Sequence, residues 1–209
     1  AGCDAYAQAV VSGEASITAC TPGGKKTADA LAEIMGQSAG EIAPLVARLR
    51  CQGETGVVNP RFEYAGYTSC HMASQMAGGP TACAWGCLGL GDCVKACMFG
   101  AMKIENGIVV IDEEKCTACG MCVKECPRAL IKLLPRAAKV TVRCLNAASG
   151  RDARAACSKA CIACKRCEKA CNFDAIHVNN NCALIDPEKC TLCGECVKVC
   201  PTSAITHQS

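Results

Sequence analysis

Large side chains are scarce in this sequence of 209 residues: Phe, Trp and Tyr together make up 3%. The length leaves room for one or two ordinary domains, but few aromatic side chains are on hand to fill their cores. No run of 18 apolar residues occurs, so no membrane span lies within these residues. Nucleotide and haem signatures are missing as well. The glycines of Gly86-Cys87-Leu88-Gly89-Leu90-Gly91 fall in G-x-x-G-x-G order, which is not the dinucleotide fingerprint. Gly24-Lys25-Lys26-Thr27 has neither the spacing nor the preceding strand of a phosphate-binding loop. His71, His177 and His207 complete no C-x-x-C-H haem attachment. No paired carboxylates and no nucleophile beside a base stand out. The chain is therefore expected to bind neither NAD nor flavin and to carry out no bond chemistry.

Cysteine is what the chain has in excess, with 23 residues, far above ordinary usage. Residues 83–133 align with residues 157–207 at a constant offset of 74, without insertion or deletion. Cys83, Cys87, Cys93, Cys97, Cys116, Cys119, Cys122 and Cys126 fall on Cys157, Cys161, Cys167, Cys171, Cys190, Cys193, Cys196 and Cys200. A repeat that keeps thiols in register while most other side chains vary is repeating a metal site. Both blocks contain C-x2-C-x2-C-x3-C-P, at Cys116–Pro127 and Cys190–Pro201, the thiolate pattern of a [4Fe–4S] cluster in bacterial ferredoxins. Thiols packed this closely do not cross-link different loops, which argues against a secreted disulfide scaffold. Structural zinc wants paired C-x2-C knuckles with a long spacer, and a triplet with a distant fourth cysteine fits that poorly. Iron–sulfur ligation implies a reducing, cytoplasm-facing compartment, and the work left to such a chain is one-electron transfer.

The formal charge of +3 counts cysteine as neutral. A [4Fe–4S] core of about +2 held by four thiolates nets about −2, so four clusters would bring the chain to about −5. Nucleic acid is therefore not an expected partner. Lys95, Lys115, Lys124, Lys165, Lys169, Lys189 and Lys198, all near cysteines, either offset cluster charge as a solvated face or dock an acidic redox partner.

Five units are expected along the chain. Residues 1–24 hold a helix, Asp4–Val11, between Cys3 and Cys20, and a turn at Pro22-Gly23-Gly24. Residues 25–81 are a helical and loop-rich connector, with a helix over 27–36 capped by Thr27. Residues 82–135 and 157–209 are the repeated domains, each with a hairpin between two cysteine runs. The hairpin turns lie at Asn106-Gly107 and Asn179–Asn181. Residues 136–156 link them and carry a strand, Lys139–Arg143, and a polar stretch, Asn146–Arg151. The fold class is α+β: two tandem bacterial-type two-cluster ferredoxin domains preceded by a short helical unit.

In two-cluster ferredoxins the fourth cysteine of each run ligates the other cluster. This rule gives Cys161, Cys164, Cys167 and Cys200 on one cluster, and Cys190, Cys193, Cys196 and Cys171 on its neighbour. The first block departs from the pattern, because Leu90 stands where Cys164 would be. Cys83 is then expected to stand in, giving Cys83, Cys87, Cys93 and Cys126, with Cys116, Cys119, Cys122 and Cys97 on the partner cluster. Gly86, Gly89 and Gly91 would let an unusual backbone path lie close to iron. Cys157 is left surplus unless it replaces Cys161. Cys182 is expected to pack as a small apolar residue, and Cys51, Cys70, Cys144 and Cys157 read more readily as buried thiols than as ligands.

The sequence resembles the B-subunit family of the Rnf complex, a membrane-bound ferredoxin:NAD oxidoreductase that couples electron flow to Na⁺ or H⁺ pumping. Gly2-Cys3-Asp4-Ala5-Tyr6-Ala7, Cys20-Thr21-Pro22-Gly23-Gly24, Arg50-Cys51-Gln52-Gly53 and Gly86–Cys93 carry the resemblance, together with the two blocks. The resemblance implies that the ferredoxin domains are preceded by a small helical four-cysteine cluster domain, incomplete here, patterned C-x2-C-x4-C-x16-C. Cys3 and Cys20 match its last two ligands, and the other two, with a membrane helix, would precede Ala1. It further implies reduced ferredoxin (or flavodoxin) as electron donor, membrane and NAD/flavin-binding sister subunits as acceptors, and a place at the cytoplasmic side of the cell (inner) membrane. Membrane association would come through a segment not in this chain. The competing reading is an iron–sulfur subunit of another complex, such as a hydrogenase or formate dehydrogenase, or a free polyferredoxin. The residue 1–24 unit separates the two. A metal-stabilised scaffold without redox work is a third reading, distinguished by metal and sulfide content.

Overall fold

The computed structural model describes residues 2–208; Ala1 and Ser209, the end residues of the first and last expected units, lie outside the described residues. Two helices open the chain, α1 (Gly2–Val11) and α2 (Gly24–Met35). Val10, Ile17 and Ala32 are buried between them, with Tyr6, Leu31 and Met35 packed around. The second helix starts a turn earlier than its apolar spacing suggests and has no side-chain cap. It ends at Gly36, whose φ of 62° closes it in a left-handed turn.

The connector then contributes more structure than its composition suggests. Leu45–Leu49 forms β1, and Cys70–Gln75 forms a short helix, α3. The first block follows: α4 (Asp92–Lys95), β2 (Met102–Glu105), β3 (Ile108–Ile111), α5 (Met121–Glu125) and β4 (Ile131–Pro135). Next come β5 (Val140–Val142) and α6 (Gly150–Ala156), both inside the expected linker. The second block repeats the plan with α7 (Arg166–Ala170), β6 (Ile176–Asn179), β7 (Cys182–Ile185), α8 (Glu195–Lys198) and β8 (Ile205–His207).

Both expected hairpins form. In β2–β3 Glu105 faces Ile108 across Asn106 and Gly107, which take φ of 49° and 75°. Two successive left-handed residues match the twist of an antiparallel pair, and Asn-Gly supplies them at least cost. In β6–β7 the same task falls to Asn180 and Asn181.

Each block is closed by a second two-stranded sheet made from residues far apart in sequence. The strand before the first block pairs with the last strand of that block, Leu45 with Pro135 through Leu49 with Ile131. The strand before the second block does the same, Val140 with His207 through Val142 with Ile205. β1 is buried along almost its whole length, so it shows no apolar–polar alternation to be read in the sequence. Each block thus has its own core, one around Leu49, Met102, Val109, Leu130 and Ile131, the other around Val140, Ile176, Ala183 and Ile205. Cysteines make up much of both.

The two blocks are stitched together through the connector. Val58 bridges Cys157, the Asn59 N–H donates to the Ala156 carbonyl, and the Ser158 N–H donates to the Val57 carbonyl. On the other side the Thr55 N–H reaches the Asn106 carbonyl in the first hairpin turn. Among the described residues no helix is long and apolar enough to cross a membrane.

Candidate metal centres

Four loops in the blocks share one backbone signature. Gly89 and Gly91, Ala118 and Gly120, Ala163 and Lys165, and Leu192 and Gly194 all have positive φ, between 54° and 83°. The second member of each pair is the N-cap of α4, α5, α7 or α8. Left-handed residues two apart curl the chain into a concave nest and turn its N–H groups inward, where they favour anions. For Ala118, Ala163, Lys165 and Leu192 this conformation costs about 1–2 kcal/mol each. Such strain persists only where the surroundings over-determine it, and in each loop the thiols lie at the nest.

Cys97, Cys116, Cys119 and Cys122 line one pocket of about 350 Å³. Cys171, Cys190, Cys193 and Cys196 line its counterpart of about 340 Å³. Cys161, Cys164, Cys167 and Cys200 also gather. Burial, then the neighbouring thiols Cys161, Cys164 and Cys200, push Cys167 up to about 11. Burial and neighbouring thiols raise Cys122 and Cys196 to about 11 as well. Crowded thiols with no cation among them resist ionisation. Around an iron–sulfur core of about +2 the same crowding becomes attraction. Backbone donors are already in place, with the Ala47 N–H 3.4 Å from Cys116 Sγ and the Leu130 N–H 3.4 Å from Cys126 Sγ. The donor set fits a [4Fe–4S] group at each of these sites.

In the first block the structure regroups the expected set. Cys87, Cys93 and Cys126 share a pocket of about 350 Å³, but the fourth thiol lining it is Cys70, not Cys83. Burial raises Cys93 to about 12, and the thiols adding to it are Cys87, Cys126, Cys70 and Cys122, without Cys83. The physical reason lies in the loop. Residues 89–91 keep the nest backbone of residues 163–165 although Leu90 has no sulfur, and the fourth thiol lining the pocket lies on a separate segment. That segment is α3. Ser69 caps it, accepting from the Met72 N–H, and also donates to Asp92 Oδ2 at 2.9 Å. The His71 N–H reaches the same oxygen at 3.1 Å. Asp92 is 7% exposed and directly precedes Cys93, so it clamps α3 with Cys70 beside the nest. Asp92→Ala is expected to release α3 and weaken iron retention at this pocket by about 10–100-fold. Chelator-competition kinetics would check this, the other three pockets serving as internal reference.

Cys83 lies elsewhere, in a pocket of about 330 Å³ with Cys51, Cys144 and Cys157. The stretch expected to be a polar linker enters that pocket: Asn146 is 1% exposed and its Nδ2 lies 3.6 Å from Cys83 Sγ. Cys182 is buried in the β6–β7 hairpin, its Sγ 3.2 Å from the Cys144 carbonyl and in hydrogen-bonding contact with the side chains of Cys144 and Cys161. Cys3 lies exposed on α1, and Cys20 lies half-buried in the loop before α2. Of the lysines near cysteines, Lys115 pairs with Asp112, Lys165 with Glu168, Lys189 with Asp174 and Lys198 with Glu195, while Lys95 donates to the Thr68 carbonyl.

Nested cysteine loops, short hairpins and thiol-lined pockets define a ferredoxin-type iron–sulfur protein, and comparison with known families agrees. The family model described as "4Fe-4S binding domain" matches residues 109–132 and 183–206, and a second so described matches residues 158–174. The family model described as "Putative Fe-S cluster" matches residues 1–22. The chain is 48% identical over 206 residues to the B subunit of the Na(+)-translocating ferredoxin:NAD(+) oxidoreductase complex of Acetobacterium woodii, covering 98% of this chain and 62% of that one. It is 39% identical to the B subunit of the ion-translocating oxidoreductase complex of Methanosarcina acetivorans, covering 98% and 78%. It is 44% identical to the B subunit of the proton-translocating ferredoxin:NAD(+) oxidoreductase complex of Clostridium ljungdahlii, covering 98% and 74%. The chain belongs to the family of iron–sulfur B subunits of Rnf ion-translocating oxidoreductase complexes. An N-terminal Fe-S cluster domain is followed by 4Fe-4S ferredoxin domains, mixing helix with short strands.

Proposed function

We propose that the chain accepts electrons one at a time from reduced ferredoxin and passes them, within a membrane-bound ion-translocating complex, toward sister subunits that bind flavin and NAD. The observation that carries this reading is the gathering of thiols into groups of four in two like blocks. Such an arrangement suits relay between centres. The two blocks are then tandem two-cluster ferredoxin domains. Cys97, Cys116, Cys119 and Cys122 hold one cluster and Cys70, Cys87, Cys93 and Cys126 the next. Cys161, Cys164, Cys167 and Cys200 hold a third and Cys171, Cys190, Cys193 and Cys196 a fourth. Cys3 and Cys20 supply two ligands of an N-terminal cluster. Bound, these groups supply reversible one-electron redox chemistry. The protein's own part is to seat them in apolar pockets, aim N–H groups at their sulfurs and keep water away, which together set the potentials. The relatives' names, which join ferredoxin, NAD and ion translocation, support the choice of donor and acceptor.

Stopped-flow mixing of the anaerobic holoprotein with reduced ferredoxin is the test. The cluster absorbance is expected to bleach as ferredoxin is oxidised, with a rate that falls as salt screens the encounter. A holoprotein that dithionite reduces but ferredoxin does not would overturn the assignment of the donor.

A further inference from the structure

Four cysteines remain outside the four ferredoxin-type pockets and the N-terminal unit, apart from Cys182. They are not scattered. Cys51, Cys83, Cys144 and Cys157 line one pocket between the blocks, and all four are buried. Cys51 follows β1 by two residues and Cys144 follows β5 by two residues, while Cys83 and Cys157 are equivalent positions of the repeat. Each block therefore brings one thiol from its leading strand and one from its first loop.

The surroundings of these thiols repeat with the same pseudo-two-fold symmetry. Cys51 Sγ accepts from the Gly53 N–H at 3.3 Å, and Cys144 Sγ from the Asn146 N–H at 3.4 Å. Cys83 and Cys157 accept in the same i+2 manner from the backbone of Trp85 and Lys159. A second donor reaches each strand-borne sulfur. The Cys87 N–H lies 3.3 Å from Cys51 Sγ, and its repeat equivalent, the Cys161 N–H, lies 3.3 Å from Cys144 Sγ. The arginines cross over. Arg50 donates to the Cys144 carbonyl at 3.4 Å, and Arg143 donates to the Cys51 carbonyl at 3.0 Å. Buried thiols that served only as small apolar residues would need none of these donors. N–H groups aimed at all four sulfurs favour thiolates, while burial, the larger effect, pushes Cys51, Cys83 and Cys157 up; a cationic centre among the four would reverse that balance.

We infer that Cys51, Cys83, Cys144 and Cys157 ligate a further [4Fe–4S] cluster at the seam between the two blocks. The pocket, about 330 Å³, matches the 340–350 Å³ of the ferredoxin-type pockets. Structural zinc sites are built on C-x2-4-C knuckles. Here each ligand comes from a different segment.

The position gives the site its role, on the reading of the chain as a relay. Cys87 belongs to the inner thiol group of the first block, with Cys70, Cys93 and Cys126, and Cys161 to that of the second, with Cys164, Cys167 and Cys200, and both backbones bond to this site's sulfurs. The seam centre thus stands between the two inner centres and completes a single file of five, where the ferredoxin blocks alone would be two separate pairs.

Iron and sulfide content decides the matter without any donor protein. A Cys3→Ser holoprotein, which removes the N-terminal site from the count, is expected to hold about 20 iron and 20 sulfide per chain; about 16 would overturn the proposal. Cys157→Ser and Cys51→Ser are each expected to lose about four iron and four sulfide while the remaining clusters keep their EPR signals. Loss of one zinc instead, or loss of four iron in Cys182→Ser but not in Cys157→Ser, would overturn the cluster or its ligand set. Should the variants fail to accumulate, the count on the Cys3→Ser protein decides alone. Failure of ferredoxin to reduce the protein would leave these counts unchanged, so the relay reading and the site fail separately.

Discussion

Anaerobic removal of iron from the holoprotein is expected to abolish its cooperative unfolding transition. The reason is the scale of the elements. The block strands have three to five residues and pair only in twos, and a lone two-stranded sheet is marginal in water. The block helices have four or five residues, far below the roughly 12–15 at which an isolated helix becomes even marginal. The largest fully buried side chains are Leu130, Ile205, Val46, Val109 and Asn146, so no aromatic ring is among them. Trp85, Phe99 and Phe173 stay 40%, 40% and 47% exposed. Apolar burial at about 25 cal/mol per Å² has little to act on, and ligation free energy takes its place. Left-handed Ala118, Ala163, Lys165 and Leu192 add strain that ligation must also offset. Circular dichroism melts before and after chelation would check this. A chelated chain that still melts cooperatively at a similar temperature would show that the apolar core suffices.

Losses in Cys70→Ala and Cys83→Ala are expected to add. Each single variant loses about four iron, and the double variant loses about eight, because the two thiols belong to different pockets. If Cys83 instead completed the set of Cys87, Cys93 and Cys126, then Cys83→Ala would lose that cluster, Cys70→Ala would lose nothing, and the double variant would lose about four. The contrast is a whole cluster per chain, read by iron analysis on protein purified without oxygen. The singles also differ in where they act. Cys70 is held by the Ser69–Asp92–His71 clamp inside the first block. Cys83 faces Asn146 across the seam, so its loss is expected to loosen the blocks from each other. Limited proteolysis in the connector, residues 52–62, would report that loosening in Cys83→Ala and not in Cys70→Ala.

Much of the molecule was legible in the cysteine spacing. C-x2-C-x2-C-x3-C fixes where the nests form, because the chain must curl to bring thiols three positions apart onto one centre. Cys97 and Cys171 line pockets with the thiols that spacing groups them with, and Cys200 neighbours Cys167. The hairpins were legible because Asn and Gly tolerate positive φ where other residues resist it. Short-range rules reach this far because each operates over a few residues of chain.

Cys70, Cys51 and Cys144 could not be placed by such rules. Each is solitary in sequence, and lone cysteine is ordinarily a small buried apolar residue. Leu90 marked a missing ligand, but several thiols stood near enough in sequence to replace it, and only the clamp at Asp92 distinguishes Cys70 from Cys83. A cue for the seam was present in Arg50-Cys51 and Arg143-Cys144, each dipeptide following an apolar stretch that leads into a block. It gains meaning only once β1 is seen to pair with β4 and β5 with β8. The sequence by itself determined that this protein is two iron–sulfur blocks behind a third, since thiol spacing is a local property. Tertiary structure decided which distant thiols meet and that the blocks share a seam, since pairing of remote strands depends on burial across the whole fold.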